Sequence, residues 1–483
     1  MHEYRRGYLL CFTDIVSLWH SILVRLPFLD RARELSRLRR ALSRPDGSLI
    51  VVYGRRRCGK SRLLQEALGG NRHAYYLADL SDASIQRRTL SVEAERVVPG
   101  FAAASYDDWA AVLDTWRMRA PENTWLVLDE LPYLVQVSPA LPSIIQKIVD
   151  TPAERPLRLL ACGSSQRMMH GLVLDETAPL YGRAAEIVQV APMPPEALPA
   201  ALQLDAEESV IAYSVWGGLP RNWELAADYG STSEAVAALV LDRNGVLHGE
   251  PSRLLMDDMR SAVQANSLLA LIGAGCHRLS ELAGRVGQSA TNLSRPLSRL
   301  IDLGYVRREV PFGENVRSTR RSLYRLDDPF LLFWYRFVAP NRSRLEMDLI
   351  DPVHAEVLTR LSGHVAEVWE WLARRSVPFT TIDGLRWNPA SRWWGRGDDG
   401  NPLEIDVVAE SSDRRHLLLG EAKWSDRADP TGILAELSRK AQRIPFRRGR
   451  PVHYALWLKR QNGHVDGASI ITPETVMPAS PGT

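Results

Sequence analysis

The strongest constraint in this chain is a short run, Gly54-Arg-Arg-Arg-Cys-Gly59-Lys60-Ser61, set between apolar Leu49-Ile-Val-Val-Tyr53 and helical Ser61-Arg-Leu-Leu-Gln-Glu-Ala-Leu68. Glycines at both ends let successive backbone N–H groups curl inward, and the helix start adds partial positive charge. Such a loop needs a buried strand behind it and a helix ahead of it, so the chain around it must form an α/β sheet. The spacing GxxxxGK[ST] cradles phosphates: Lys60 reaches the β- and γ-phosphates and Ser61 can ligate Mg²⁺. Gly54, Arg55, Arg56, Arg57, Cys58, Gly59, Lys60, Ser61 and Arg62 are therefore the candidate nucleotide-binding residues, with ATP and Mg²⁺ as expected cofactors.

Between residues 48 and 191, apolar runs at 49–53, 74–77, 125–128, 157–161 and 185–190 alternate with helical patterns, as buried parallel strands do. Leu126-Val-Leu-Asp129-Glu130 delivers two carboxylates at a strand end. Asp129 is suited to hold Mg²⁺ through water and Glu130 to polarise the attacking water. After the next strand, Ser164 or Ser165 could orient that water or sense the γ-phosphate; capping the following helix is the other reading. Arg183 and Arg221 could stabilise transition-state charge, in cis or across a homo-oligomer, or simply form surface ion pairs.

Taken in order, Phe28-Leu-Asp-Arg31 with Glu34-Leu35, Gly59-Lys60-Ser61, Leu128-Asp129-Glu130, Cys162-Gly-Ser-Ser165, Pro179-Leu-Tyr-Gly-Arg183 and Gly217-Gly-Leu-Pro220 carry a resemblance. Residues 27 to 262 resemble the archaeal-type ATPase family, a prokaryotic branch near the AAA+ and STAND ATPases. That resemblance implies a five-strand P-loop core with a helical lid, and it makes the segment 28–34 a candidate adenine-side wall.

The net charge of +3 excludes a uniformly basic chromatin-type protein, but it is unevenly spread. Residues 266–326 hold ten arginines against four acidic residues, a local +6. Three helical patterns (267–275, 279–286, 289–303) precede an Arg-rich hairpin there, the order of a winged helix-turn-helix. Ser289, Thr291, Asn292, Ser294 and Arg295 suit a groove-reading helix, and Arg317, Arg320 and Arg321 suit phosphate contacts, making DNA the expected partner. The other reading is a relay between protein modules.

Farther on, Glu404-Ile-Asp406 ends one strand, and Glu421-Ala-Lys423 places two side chains on one strand face. Asp406 and Glu421 could bind Mg²⁺ while Lys423 orients a hydroxide, with Glu367 as a further ligand from an upstream helix. The pattern resembles the PD-(D/E)xK nuclease superfamily. Residues 320–476 also resemble the uncharacterised domain that accompanies archaeal-type ATPases. The alternative is a relic in which Asp406 and Lys423 form a structural ion pair. Only five lysines stand among the 60 basic residues, and Lys60 and Lys423 are two of them.

The four cysteines are dispersed, with no disulfide or zinc spacing, which fits a reducing cytoplasm. The apolar stretch 8–26 is interrupted by Asp14, His20 and Arg25, so it reads as a helix or frayed extension, with no membrane partner expected. The expected fold is α/β throughout: an N-terminal extension (1–26), a P-loop ASCE parallel sheet (27–192) and a helical lid (193–262). A winged helix-turn-helix with connector (263–340), an α/β restriction-endonuclease-like domain (341–476) and a disordered tail (477–483) complete it. The expected function is Mg·ATP hydrolysis that controls DNA binding and metal-dependent cleavage. The alternatives are an ATP-switched regulator whose nuclease-like domain is inactive, and a partner-binding scaffold.

Overall fold

In a computed structural model, residues 26–44, 48–258, 261–319, 321–461, 463 and 465–478 are described. The N-terminal extension up to residue 25, the tail from 479 and Arg320 lie outside the described residues.

The first sheet contains β1 (Leu49–Tyr53), β2 (His73–Leu77), β3 (Trp125–Asp129), β4 (Leu159–Gly163) and β5 (Ala184–Gln189), ordered β2-β3-β4-β1-β5. Every neighbouring pair is parallel. The strands read as unbroken apolar runs because both faces are covered. Leu49, Val51, Leu126, Leu128, Leu159 and Ala161 pack into one core, while Ile50, Val52, Trp125, Val127, Leu160 and Cys162 pack into the other. The fourth strand begins two residues later than its apolar run suggests, because Leu49 is in register with Leu159. That shift carries the strand to Gly163 and leaves Ser164 at its tip. With β4 between β1 and β3, the tips of all three converge on one edge, where ligands of open parallel sheets bind.

Helices fill 198–258. The helices Ala262–Gly273, Leu279–Val286 and Ala290–Asp302 then lead into an antiparallel ribbon, β6 (Val306–Glu309) with β7 (Leu323–Leu326). The long helix Ile350–Ser376 follows, then β8 (Ser391–Arg396), β9 (Pro402–Glu410), β10 (Leu417–Lys423), the helix Pro430–Ala441, β11 (Val452–Leu458) and β12 (Ser469–Ile471). The second sheet is mixed, ordered β12-β11-β10-β9-β8, antiparallel from β8 to β10 and parallel from β10 to β12. Its two faces bury against the two helices: Val368, Trp369 and Leu372 with Val407 and Trp457 on one side, Leu437 and Ala441 with Ile405 and Leu419 on the other.

A single apolar cluster runs from Trp216 and Leu255, through Leu293, Tyr305, Phe330 and Phe333, to Trp369 and Trp457. The helices before 262, the three-helix segment and one face of the second sheet therefore share a core. Among the described residues, no helix is long and apolar enough to cross a membrane.

Candidate functional site

The loop after β1 is shaped by its glycines. A side chain at Gly54 would put Cβ 2.2 Å from the Val190 carbonyl oxygen, and Gly59 adopts φ +86°, open to glycine at little cost. Lys60 is buried and its Nζ donates to the carbonyls of Gly54 (3.0 Å) and Arg55 (3.1 Å), arching over the loop. A cavity of about 580 Å³ opens beside it. Arg56, Arg57, Cys58, Gly59, Lys60, Ser61, Arg62, Glu130 and Arg221 line this cavity, opposite an apolar wall that includes Phe28 and Trp223. Arg31 ties the 28–34 segment to the loop, donating to the carbonyls of Cys58 and Ala191. Trp223 gave no separate signal in the sequence, since an isolated tryptophan reads as packing.

The carboxylates of β3 meet neutral donors. Ser61 Oγ lies 3.0 Å from Asp129 Oδ2, and the Tyr75 hydroxyl donates to the same oxygen. Burial and Asp129 together push the Tyr75 phenol far above its ordinary range, so it remains a donor. Tyr75 was not legible as a site residue, since it is one aromatic in an apolar run and comes to Asp129 only through the β2–β3 pairing. Glu130 sits at φ +56°, a strained position for a non-glycine residue, and its Oε2 accepts from the Ser164 backbone N–H (3.0 Å) and Oγ (2.9 Å). Ser164 thus anchors Glu130, while Ser165 caps the helix Gln166–Met169.

Arginines near the loop divide by partner. Arg55 points away from the cavity: it is buried, pairs with Asp328 at 2.7 Å and lies over the Tyr305 ring at 4.7 Å. Arg57 pairs with buried Glu250 at 2.7 Å. Two residues of the loop are thereby fastened to elements far downstream. Arg221 pairs with Glu224 at the cavity rim, whereas Arg183 pairs with Asp150 and does not line the cavity.

In the Arg-rich segment, Thr291, Asn292, Ser294 and Arg295 are exposed on the helix Ala290–Asp302, and Arg317 is exposed. Arg321 is exposed too, but it pairs with Glu314 at 2.5 Å and donates to the Trp394 carbonyl. The ribbon itself is clamped to the second sheet: Phe312 packs on Phe446 at 5.2 Å between ring centres, and its N–H donates to the Arg392 carbonyl.

The second sheet gathers Asp406, Glu421 and Lys423. Lys423 Nζ is 3.1 Å from Glu421 and 3.7 Å from Asp406, and Lys440, unmarked in the sequence, reaches the other Glu421 oxygen at 2.6 Å. Burial and Asp406 push the Glu421 carboxyl upward, against the two lysines. Glu367 does not join this cluster. It pairs with Arg325 (2.6 Å) and with Arg336, which overcome burial and hold its carboxyl at about 2. Glu370, one helical turn later, faces the cluster instead: burial and Asp406 raise its carboxyl. The upstream helix presents position 370 to the sheet and 367 to the ribbon. Among the described residues, no group of three or more His, Cys, Asp or Glu could hold a metal ion. The acidic groups expected to bind Mg²⁺ here do not fit it, since both Glu421 oxygens are held by ammonium groups.

Comparison with known proteins accords with the first of these sites. Residues 28–225 match a family described as an ATPase domain predominantly from Archaea, and residues 334–441 match archaeal and bacterial proteins of unknown function. An uncharacterized protein of Methanocaldococcus jannaschii is 28% identical over 436 residues, covering 86% of this chain and 92% of its own length. Among solved structures, a Walker-type ATPase of Pyrococcus abyssi superposes with a TM-score of 0.50 at 19% identity, covering 64% of this chain and 96% of its own. That likeness is one of fold. A P-loop after β1, two carboxylates after β3 and these two matches identify residues 28–225 as an archaeal-type P-loop ATPase domain and residues 334–441 as a domain shared with archaeal and bacterial proteins of unknown function.

Proposed function

We propose that the chain hydrolyses Mg·ATP at the tips of β1, β3 and β4 and uses the nucleotide state to control contact with DNA. The observation that carries this is the pairing of Ser61 with Asp129 at 3.0 Å beside Glu130 anchored by Ser164. A hydroxyl and a buried carboxylate offer hard oxygen donors that fit Mg²⁺, so Ser61 and Asp129 would hold it. Once bound with ATP, that ion supplies charge neutralisation between the phosphates. Lys60 and the backbone N–H groups of 54–61 bind the phosphate oxygens, Phe28 and Trp223 enclose the base, and Arg56, Arg62 and Arg221 hold the rim. Glu130 takes up the proton of the attacking water, with Ser164 fixing its orientation. Arg183, outside the cavity of its own chain, would act only toward a neighbouring copy.

In this reading 27–192 is the ATPase core, 193–262 its lid, 263–340 a winged helix-turn-helix with connector and 341–476 a nuclease-like domain. The buried pairs Arg55–Asp328 and Arg57–Glu250 are the means by which the loop reports to those parts. A second reading, a regulator whose nuclease-like domain does not cut, is favoured by the two lysines that hold Glu421.

ATP turnover tests the assignment. Lys60→Ala and Glu130→Gln are each expected to lower it by about 10²–10³-fold, with Glu130→Gln still binding nucleotide. Native turnover in both overturns the site. Incubating the native chain with supercoiled DNA and Mg²⁺ or Mn²⁺ separates the two readings. Nicking lost in Asp406→Ala supports a nuclease, and intact plasmid supports the regulator.

A further inference from the structure

We infer that the groove between the ribbon and the second sheet is a binding site for the phosphodiester backbone of DNA. The inference rests on the DNA-acting reading above but places the strand on a different surface from the exposed face of the helix Ala290–Asp302.

The groove has a volume of about 1080 Å³ and is walled by Arg308, Arg321 and Arg325 on one side, Arg392 and Arg396 of β8 on the other, and Arg278 at one end. Among the described residues that line it, Glu404 is the acidic one. Two helices also start there. Leu279 and Ser280 open the helix Leu279–Val286, and Ala290 opens Ala290–Asp302, so the positive ends of two helix dipoles meet the arginines, with Glu281 capping the first helix and Ser289 the second. Converging guanidinium groups and helix N-termini select a polyanion.

Arg392 is paired with Glu404, Arg325 with Glu309 and Glu367, and Arg321 with Glu314, whereas the other groove arginines keep donors to spare. Arg308 donates one N–H to the Thr319 carbonyl, and Arg396 one to the Gly400 carbonyl, of the five each guanidinium carries. The walls are also set before anything binds, because the Phe312–Phe446 contact and the Arg321 bond to Trp394 hold the ribbon against the sheet.

Direction comes from a shared wall. Pro402, Leu403 and Glu404 line this groove and also a second one of about 600 Å³, where Lys440 stands 2.6 Å from Glu421. A strand laid along the arginines therefore runs past Glu404 toward the carboxylate–lysine cluster of β9 and β10. The sequence showed the local excess of arginine but not that β8 would supply the opposite wall.

The test is fluorescence anisotropy of the full chain with a labelled duplex of unrelated sequence, from about 50 to about 200 mM KCl. The paired substitution Arg278→Glu with Arg396→Glu is expected to weaken binding at least about ten-fold and to lower the salt slope by about 2, as for two lost phosphate contacts. Arg278→Lys with Arg396→Lys retains binding, and an unchanged thermal midpoint in the Glu pair marks an intact fold. Native affinity in the Glu pair, with a loss instead in Arg295→Glu, overturns the groove while leaving DNA binding in place. If the native chain binds no duplex at low salt, the DNA reading itself fails and the groove falls with it.

Discussion

Each of the two sheets in this molecule carries a pair of carboxylates near a lysine, at the end of β3 in the first and within β9 and β10 in the second, and they are held in opposite ways. At the first sheet, Asp129 and Glu130 accept from hydroxyls and a backbone N–H, from Ser61, Tyr75 and Ser164, while Lys60 is bonded to carbonyl oxygens. At the second, Glu421 is held by Lys423 and Lys440, and Asp406 lies within 3.7 Å of Lys423. Neutral donors orient a carboxylate without cancelling its charge, so it can still meet a cation or take a proton. Ammonium partners spend that charge inside the protein. A carboxylate held by cations is therefore expected to matter for stability, and one held by neutral donors for turnover.

The largest test of that division is Asp328, the cation-held carboxylate beside the nucleotide loop. Asp328→Ala leaves Arg55 buried without its partner, which costs about 3–5 kcal/mol. It also removes the acceptor for the Phe330 N–H at the start of the helix Pro329–Phe333. The loss is expected in the thermal or denaturant midpoint, with turnover per folded molecule changed far less. A fold as stable as the native one, with turnover abolished, would break the division.

Acid titration gives the next effect. Glu309 and Glu367 lie among Arg307, Arg325, Arg336 and Arg374, which outweigh burial and hold both carboxyls at about 2. Each carboxyl lies below its unfolded value of about 4.5, so its contribution is complete above that pH and is lost as pH falls toward about 2. A shift of that size corresponds to about 3 kcal/mol per group. His364 adds to the same trend at a milder pH. Burial and Arg336 lower its imidazole to about 4, with one ring nitrogen facing Arg336 and the other the Ser214 carbonyl. Its neutral form stabilises the fold above about pH 6.5, and that contribution fades as pH drops toward 4. The unfolding midpoint should therefore fall in two stages, from pH 6.5 to 4 and again below 4.5. His364→Gln is expected to flatten the first stage only, and a midpoint independent of pH across both would refute these pairings.

How much of this was legible in the sequence depended on whether contacts were local. The loop 54–61 and the strand ending at Asp129 announce themselves because their chemistry is contiguous, and the β2-β3-β4-β1-β5 order then brings Ser164 to Glu130. Tyr75, Asp328 and Lys440 carry no motif: each reaches its partner through strand pairing or docking of distant segments. Arg55 was grouped with the phosphate loop by position, yet the loop's curvature turns it outward to Asp328. Glu367, expected as a further ligand, misses the cluster by one turn of helix, and Glu370 faces it instead. Residues three apart lie on neighbouring faces, and only the packing of the helix Ile350–Ser376 on β9 and β10 decides which of them meets the sheet.

Glu370 supplies the smallest test. It is half-buried, pairs with no arginine or lysine among the described residues, and burial and Asp406 together raise its carboxyl above the ordinary range. For such a group the charged form is disfavoured in the fold, so near neutral pH it subtracts from stability, and the penalty disappears as pH falls toward its unfolded value. Glu370→Gln keeps the shape and removes the charge, and is expected to raise the thermal midpoint slightly at pH 7 while leaving it unchanged near pH 4. The reverse result, a fall at pH 7, would mean that Glu370 is held by a cation in solution, as Glu367 is. The contrast between the two sites would then extend over the whole carboxylate cluster rather than stop at Glu421.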